Sequence, residues 1–266
     1  MMWMVTIKFQ LKKVFRIMLD ELLLLSGNDI PFIEAQLTVH TPSVKEIGFL
    51  GEELFFNGCG ILNFSKDNLT EEDRINLANV DDFEILMMIM DNNNPEVQKS
   101  KINAIMVLTL IFPEYQIVFQ QQDILLTKRL ENGNVEERYI NAKNFHRFKE
   151  ILVAMFCLNG RGDGKSDYNP GGKHAKEIAD KFAKRKQVIA EQQGNQKIAV
   201  LSRYSSILSV GLKLDLNTVL DYTVYQLFDQ FERFELEEVN DMYFRAQIAG
   251  ASGMKEPDNW KKDIHS

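Results

Sequence analysis

A mainly α, α+β fold follows from three features of the sequence. Apolar residues recur at the 3.6-residue helical period over most of its length, the period drops to two in one central stretch, and helix-start and turn signals separate the segments. With 266 residues, 45% hydrophobic and 26% charged, and only two cysteines, the chain can bury a substantial core without disulfides. The predicted organisation is a mixed α+β domain over 1–157, a glycine-rich flexible loop over 158–172, a helical C-terminal lobe over 173–249 and a polar tail over 250–266.

At the N-terminus, TIKFQLK from Thr6 and IEAQLTV from Ile33 alternate apolar and polar residues and predict strands, with DELLLL ending a helix and SGND before Pro31 supplying a turn. Arg16, Asp20 and Glu21 interrupt VFRIMLDELLLL and no small-residue cleavage site follows, which argues against a secretory signal. The longest uncharged apolar run, INAIMVLTLIF, is shorter than the ~20 residues of a membrane-spanning helix. A soluble, cytoplasmic protein is therefore expected, in which Cys59 and Cys157 act as small hydrophobes.

Ser43 followed by Glu46 has capping-box spacing and starts a helical unit over 43–112. Ile47, Leu50, Leu54 and Ile61 make its first apolar stripe, widened by Phe55 and Phe56. Gly48, Gly51, Gly58 and Gly60 each cost about 1 kcal/mol in a helix interior, so an unbroken helix there is disfavoured unless a neighbour packs closely. Further helices start at Thr70, at Asp81 and at Asn94, with Pro95 as first helical residue, and Pro113 ends the unit.

A β-element over 115–140 comes next: Gln116-Ile-Val-Phe, then Asp123-Ile-Leu-Leu-Thr, then the turn Asn132-Gly133-Asn134 before Val135. Asn141 is placed to cap a helix over 142–157, whose Phe145, Phe148, Ile151, Leu152 and Met155 share one face. Beyond the glycine-rich loop, helices are predicted over 173–193, 199–212, 217–234 and from Leu236.

Motifs for chemistry are sparse. Gly160 to Ser166 resembles a phosphate-binding loop, but Asn159 stands where its first glycine belongs and no strand precedes it. His40, His146, His174 and His265 are scattered without metal-ligand spacing, and no nucleophile elbow occurs. Acidic pairs such as Asp81-Asp82 and Glu237-Glu238 are explained by capping and solvation. No catalytic residue, cofactor or metal is expected, and the protein reads as a non-enzyme.

Two surfaces of opposite sign carry the candidate partner contacts. Lys173, Lys176, Lys181, Lys184, Arg185 and Lys186 form a basic helix interleaved with Glu177, Asp180 and Glu191, which suits a solvated face or an acidic partner. Nucleic acid is the alternative, opposed by the net charge of -7. In the last helices, acids including Asp221, Asp229, Glu232 and Asp241 alternate with aromatics. That pattern fits either a core stripe with a solvated back or a docking face. The candidate binding residues are Tyr222, Tyr225, Phe228 and Phe231, with Lys181, Lys184 and Arg185 on the basic helix.

Four stretches, HTPSVKEIGFLGEELF, DDFEILMMIM, LSRYSSILSVGLKLDLNTVLDYTVYQLFDQFERF and DNWKKDIH, together resemble tail assembly chaperone-like and virion proteins. These are encoded in the tail-morphogenesis region of phages and prophages of Gram-positive bacteria. The resemblance implies a role in building a phage tail in the host cytoplasm, either as a chaperone for the tape-measure protein or tail subunits, or as a structural part of the virion. Homo-oligomerisation is left open, and no membrane role is implied.

Overall fold

A computed structural model describes residues 20–66, 79–91, 95–120, 122–158 and 200–250, together with 75, 77, 256 and 257. The predicted strand from Thr6, the helix start at Thr70, the glycine-rich loop from 159 onward, the basic helix and the terminal DNWKKDIH lie outside the described residues. The fold is mainly helical with two small antiparallel sheets.

Asp20 caps α1 (Glu21–Ser26) by accepting from the Leu22 N–H, and Gly27 ends it in the left-handed region. A hairpin of β1 (Ile30–Phe32) and β2 (Leu37–Val39) follows, with Ile30 opposite Val39. The continuous strand expected from Ile33 is thus corrected: a single 3-10 turn, Ile33–Ala35, and Gln36 at φ 54° reverse the chain within it. Leu37 and Val39 keep the alternation and point inward, whereas Thr38 faces out.

The Ser43–Glu46 capping box forms as expected. Glu46 Oε2 accepts from the Ser43 N–H at 2.7 Å, and the Glu46 N–H donates to Ser43 Oγ at 3.2 Å. Gly51, at φ 95°, breaks the helix into α2 (Val44–Leu50) and α3 (Glu52–Leu62). Of the four glycines in this region, Gly58 is the one that a neighbour presses on. A Cβ there would lie 2.4 Å from the Asn103 carbonyl oxygen, so α3 rests directly on the backbone of α5 (Pro95–Ile111). Between them in sequence, α4 (Asp82–Asp91) starts in a second reciprocal cap, with Asp81 Oδ1 accepting from the Glu84 N–H and Glu84 Oε2 from the Asp81 N–H.

The β-element is a meander in the order β3 (Gln116–Phe119), β4 (Ile124–Arg129), β5 (Val135–Ile140). Asn141 turns the chain, but the residue at the N-cap of α6 (Phe145–Phe156) is Asn144, which corrects the expectation for Asn141. The Asn144 side chain is engaged elsewhere, accepting from the Asn141 N–H and donating to the Tyr139 carbonyl. All five stripe residues of α6 are buried. Phe148 lies between Phe32 and Phe112, with ring centroids 6.0 and 6.1 Å away, while Phe156 meets Phe55 edge-on at 4.8 Å.

After residue 199 come α7 (Val200–Gly211), α8 (Leu216–Leu220) capped by Asp215, and α9 (Val224–Ile248). The expected helices over 217–234 and from Leu236 are corrected. The break falls at Asp221–Thr223, where a Thr223–Gln226 capping box restarts the chain, and α9 then runs unbroken for 25 residues because Glu235 has no reason to interrupt it. These helices share one continuous core with the residues before 158. Polar contacts reinforce it: the Val44 N–H donates to the Tyr222 carbonyl at 2.8 Å, Gln226 Nε2 to the Leu25 carbonyl at 2.7 Å, and the Leu201 N–H to Glu52 Oε1 at 2.8 Å. The last bond ties the Glu52 side chain of α3 to the backbone of α7.

Candidate docking groove

A concave site lies between α4 and the tip of the β3–β4 hairpin, bordered at one end by the turn into α6. Its volume is about 830 Å3. The wall from α4 presents Phe83, Met87, Met88 and Met90, and the opposite wall presents Phe119, Gln120 and Asp123. The helical period places this methionine face: Phe83, Leu86 and Met90 point into the core, so Met87 is half-buried beside them and Met88 is 56% exposed. Charges of both signs rim the opening, Glu84, Asp91 and Asp123 against Lys101 and Lys143.

A half-buried cation holds α4 in place. Lys149 of α6 donates to Asp82 Oδ2 and to the Phe64 carbonyl, both at 2.8 Å. Burial alone would raise the Asp82 pKa, but hydrogen bonds from Lys149 and from the Lys66 N–H outweigh it and hold the carboxyl below its ordinary range. Asp82 therefore stays ionised as the anchor at the N-terminus of α4, where the helix dipole also favours negative charge.

A second polar cluster surrounds His40, which sits 2.9 Å from Asp29 and 3.2 Å from Glu46 through its two ring nitrogens. Glu46 also accepts from Ser43 Oγ at 2.8 Å, and Asp29 from the Thr41 N–H at 3.2 Å. Serine, histidine and carboxylates thus come together, but Ser43 is turned to Glu46 rather than to the imidazole, and its oxygen serves as the helix cap. The arrangement ties the β1–β2 hairpin to α2. Burial pushes the Cys59 thiol well above its ordinary pKa, consistent with a packing role. No cluster of metal-ligating side chains occurs among the described residues.

The predicted aromatic partner residues do not line the groove. Tyr225 and Phe231 are buried, and Tyr222 and Phe228 are half-buried against the same core. Tyr204 of α7 stacks on Phe231 with centroids 3.7 Å apart and meets Phe228 edge-on at 5.3 Å, so these aromatics line the seam between α7 and α9, the core-stripe alternative of the two. Asp229, expected on a solvated back, is fully buried and paired with Arg233 at 3.1 Å. Their i,i+4 spacing was a readable signal for that pair. Lys181, Lys184 and Arg185 lie outside the described residues. The groove escaped the sequence reading because its walls come from segments some thirty to sixty positions apart; the clustered methionines of DDFEILMMIM were the one local hint.

Residues 192–265 match the family described as the YomV second domain, a phage- and prophage-associated family. The matched segment contains α7, α8 and α9 and two of the four stretches on which the phage resemblance rests, whereas the groove, built from residues 83–143, lies outside it. Comparison with curated proteins and with solved structures gives no match. Among the described residues no helix is long and apolar enough to cross a membrane.

Proposed function

We infer that the protein is a non-enzymatic phage tail assembly factor, acting in the host cytoplasm, that shelters an apolar helical segment of a tape-measure or tail protein in the α4–hairpin groove. The observation that carries the binding role is the methionine wall of an 830 Å3 groove, in which Met88 is open to solvent, Met87 is half-buried and Met90 backs them from the core. Methionine is flexible and polarizable, and it adapts to apolar helices of varied sequence, which suits a subunit that must be held and released rather than locked. The mixed charges at the rim favour reversible docking over a dry permanent interface. The phage setting is supported by the match over 192–265.

Affinity purification of the full-length protein from phage-infected cells tests this reading. A tape-measure or tail protein is expected to co-purify, and Met88→Glu, at a solvent-facing position, is expected to reduce recovery about tenfold, equivalent to ~1.4 kcal/mol. Presence in infected-cell extract and absence from finished virions supports the chaperone. Stoichiometric presence in virions makes the protein a structural tail component instead, and salt-sensitive retention of DNA with no tail protein would replace the proposal by a nucleic-acid role.

A further inference from the structure

The two edges of the three-stranded sheet are treated differently. The Gln120 N–H donates to the Asp123 carbonyl and the Leu130 N–H to the Asn134 carbonyl, which sets the alternation along both hairpins. In that alternation Gln116 and Val118 bond to β4 through Thr127 and Leu125, and the backbone groups of Ile117 and Phe119 point to the open side of β3. On β5 the outward groups are those of Val135, Glu137 and Tyr139. There, Arg138 donates to the Glu137 carbonyl at 3.0 Å, Asn144 donates to the Tyr139 carbonyl at 2.9 Å, and Arg138 also reaches the Gln36 carbonyl at 3.2 Å. The β5 edge is thereby capped and covered. The outward backbone groups of Ile117 and Phe119 form no hydrogen bond with a described residue.

Exposed edges are normally blunted by charge, proline or a bulge. The run 116–122 is QIVFQQQ, with no charge, proline or glycine. It is also close to a palindrome about Val118. Set antiparallel against itself, it places Gln116 opposite Gln120, Ile117 opposite Phe119 and Val118 opposite Val118 of a second copy. In the same register Glu114 falls opposite Gln122, so no like charges meet, and Glu114 is already paired with Lys128. The outer face adds an apolar row, Val118, Leu125 and Tyr139 being cross-strand neighbours on the side away from the core, with Val118 49% and Tyr139 39% exposed. A second copy would continue that row across the two-fold axis.

We propose that β3 is a homodimerisation edge, joining two copies of this chain through antiparallel β3–β3 pairing into one six-stranded sheet with Val118 on the two-fold axis. Ile117 and Phe119 of each copy then exchange backbone hydrogen bonds, an isologous contact that closes on itself. The contact is smaller than the roughly 1,200–2,000 Å2 of stable dimers. Its dissociation constant is expected on the order of 10–100 µM.

Sedimentation equilibrium of the full chain from about 1 to 500 µM, a range that brackets this constant, is expected to show reversible dimerisation. Val118→Lys and Val118→Glu, each placing like charges face to face at the axis, are expected to weaken it at least about tenfold. Circular dichroism and the melting temperature should not change, because the side chain faces outward. Mixing the two variants is expected to restore the dimer, since the introduced ammonium of one copy meets the introduced carboxylate of the other only if position 118 faces itself across the axis. A wild-type monomer throughout, variants that dimerise normally, or a mixture that stays monomeric would each overturn the proposal. Val118 is not among the residues lining the groove, so these variants leave its walls unchanged and tail-protein capture can be read separately.

Discussion

The two halves of α9 are one continuous helix with opposite fates. Over 224–234, Val224, Tyr225, Leu227, Asp229 and Phe231 are buried, while over 235–248 Val239, Met242, Phe244 and Ile248 lie in solvent, Ile248 at 87% exposure. Large apolar side chains occur in both halves, and what separates the halves is the neighbourhood. The first half faces Tyr204 and Gly211 of α7, and Leu25 and Glu21 of α1, which offer Phe231 a ring, Gln226 a carbonyl and Arg233 a charge. At about 1.5 Å per residue, a 25-residue helix outruns this support after some three turns. An aromatic pattern therefore identifies a face that can be buried, but the facing element decides where burial stops.

Substitutions along the helix should reproduce this gradient. Phe231→Ala, which removes the ring stacked on Tyr204, is expected to cost about 3–4 kcal/mol in chemical denaturation. Arg233→Leu takes the guanidinium from buried Asp229 and breaks the 3.7 Å contact with Glu21, and about 2–3 kcal/mol should be lost. At the end of the supported half, a Cβ on Gly211 would lie 2.5 Å from the Phe234 ring. Gly211→Ala should cost only about 1 kcal/mol, because the tip of the ring can swing aside.

Smaller still is the effect of pH at the start of the helix, where Ser43 bridges Thr223. Burial pulls the His40 pKa down, but the hydrogen bonds and charges of Asp29 and Glu46 outweigh it and raise the value above 6.5. A raised folded-state pKa gives stability that is complete below the unfolded value and is lost as pH rises through the folded one. The melting temperature should therefore fall modestly between about pH 6 and pH 8, and this component should vanish in His40→Gln. In the outer half, Met242→Ala should change stability by no more than about 0.5 kcal/mol. A loss as large as that of Phe231→Ala would mean that the outer half is packed after all.

Local chemistry made much of this fold legible in the sequence. The Ser43–Glu46 cap, the Asn132-Gly133-Asn134 turn and the apolar stripe of α6 depend on residues three or four positions apart, so their spacing carries the information. The Thr223–Gln226 box is equally local, yet the aromatic period runs straight across the break it marks and puts the apparent boundary after Phe234. Gly51 and Gly58 show the limit of such reading: one breaks a helix and the other admits a neighbouring backbone, yet they look alike in sequence.

By itself the sequence determined the helical majority, the position of the meander, two of the caps and the residues able to form a core, because hydrophobic period and hydrogen-bonding side chains act over a few residues. Only the tertiary structure decided that Tyr225 and Phe231 are interior, that Asp229 is buried against Arg233, that Met88 faces an open groove and that, among the described residues, the edge of β5 is capped by side chains while that of β3 is not. Burial and edge pairing depend on which distant segment arrives opposite a residue, and that is a property of the packed chain rather than of any short stretch of it.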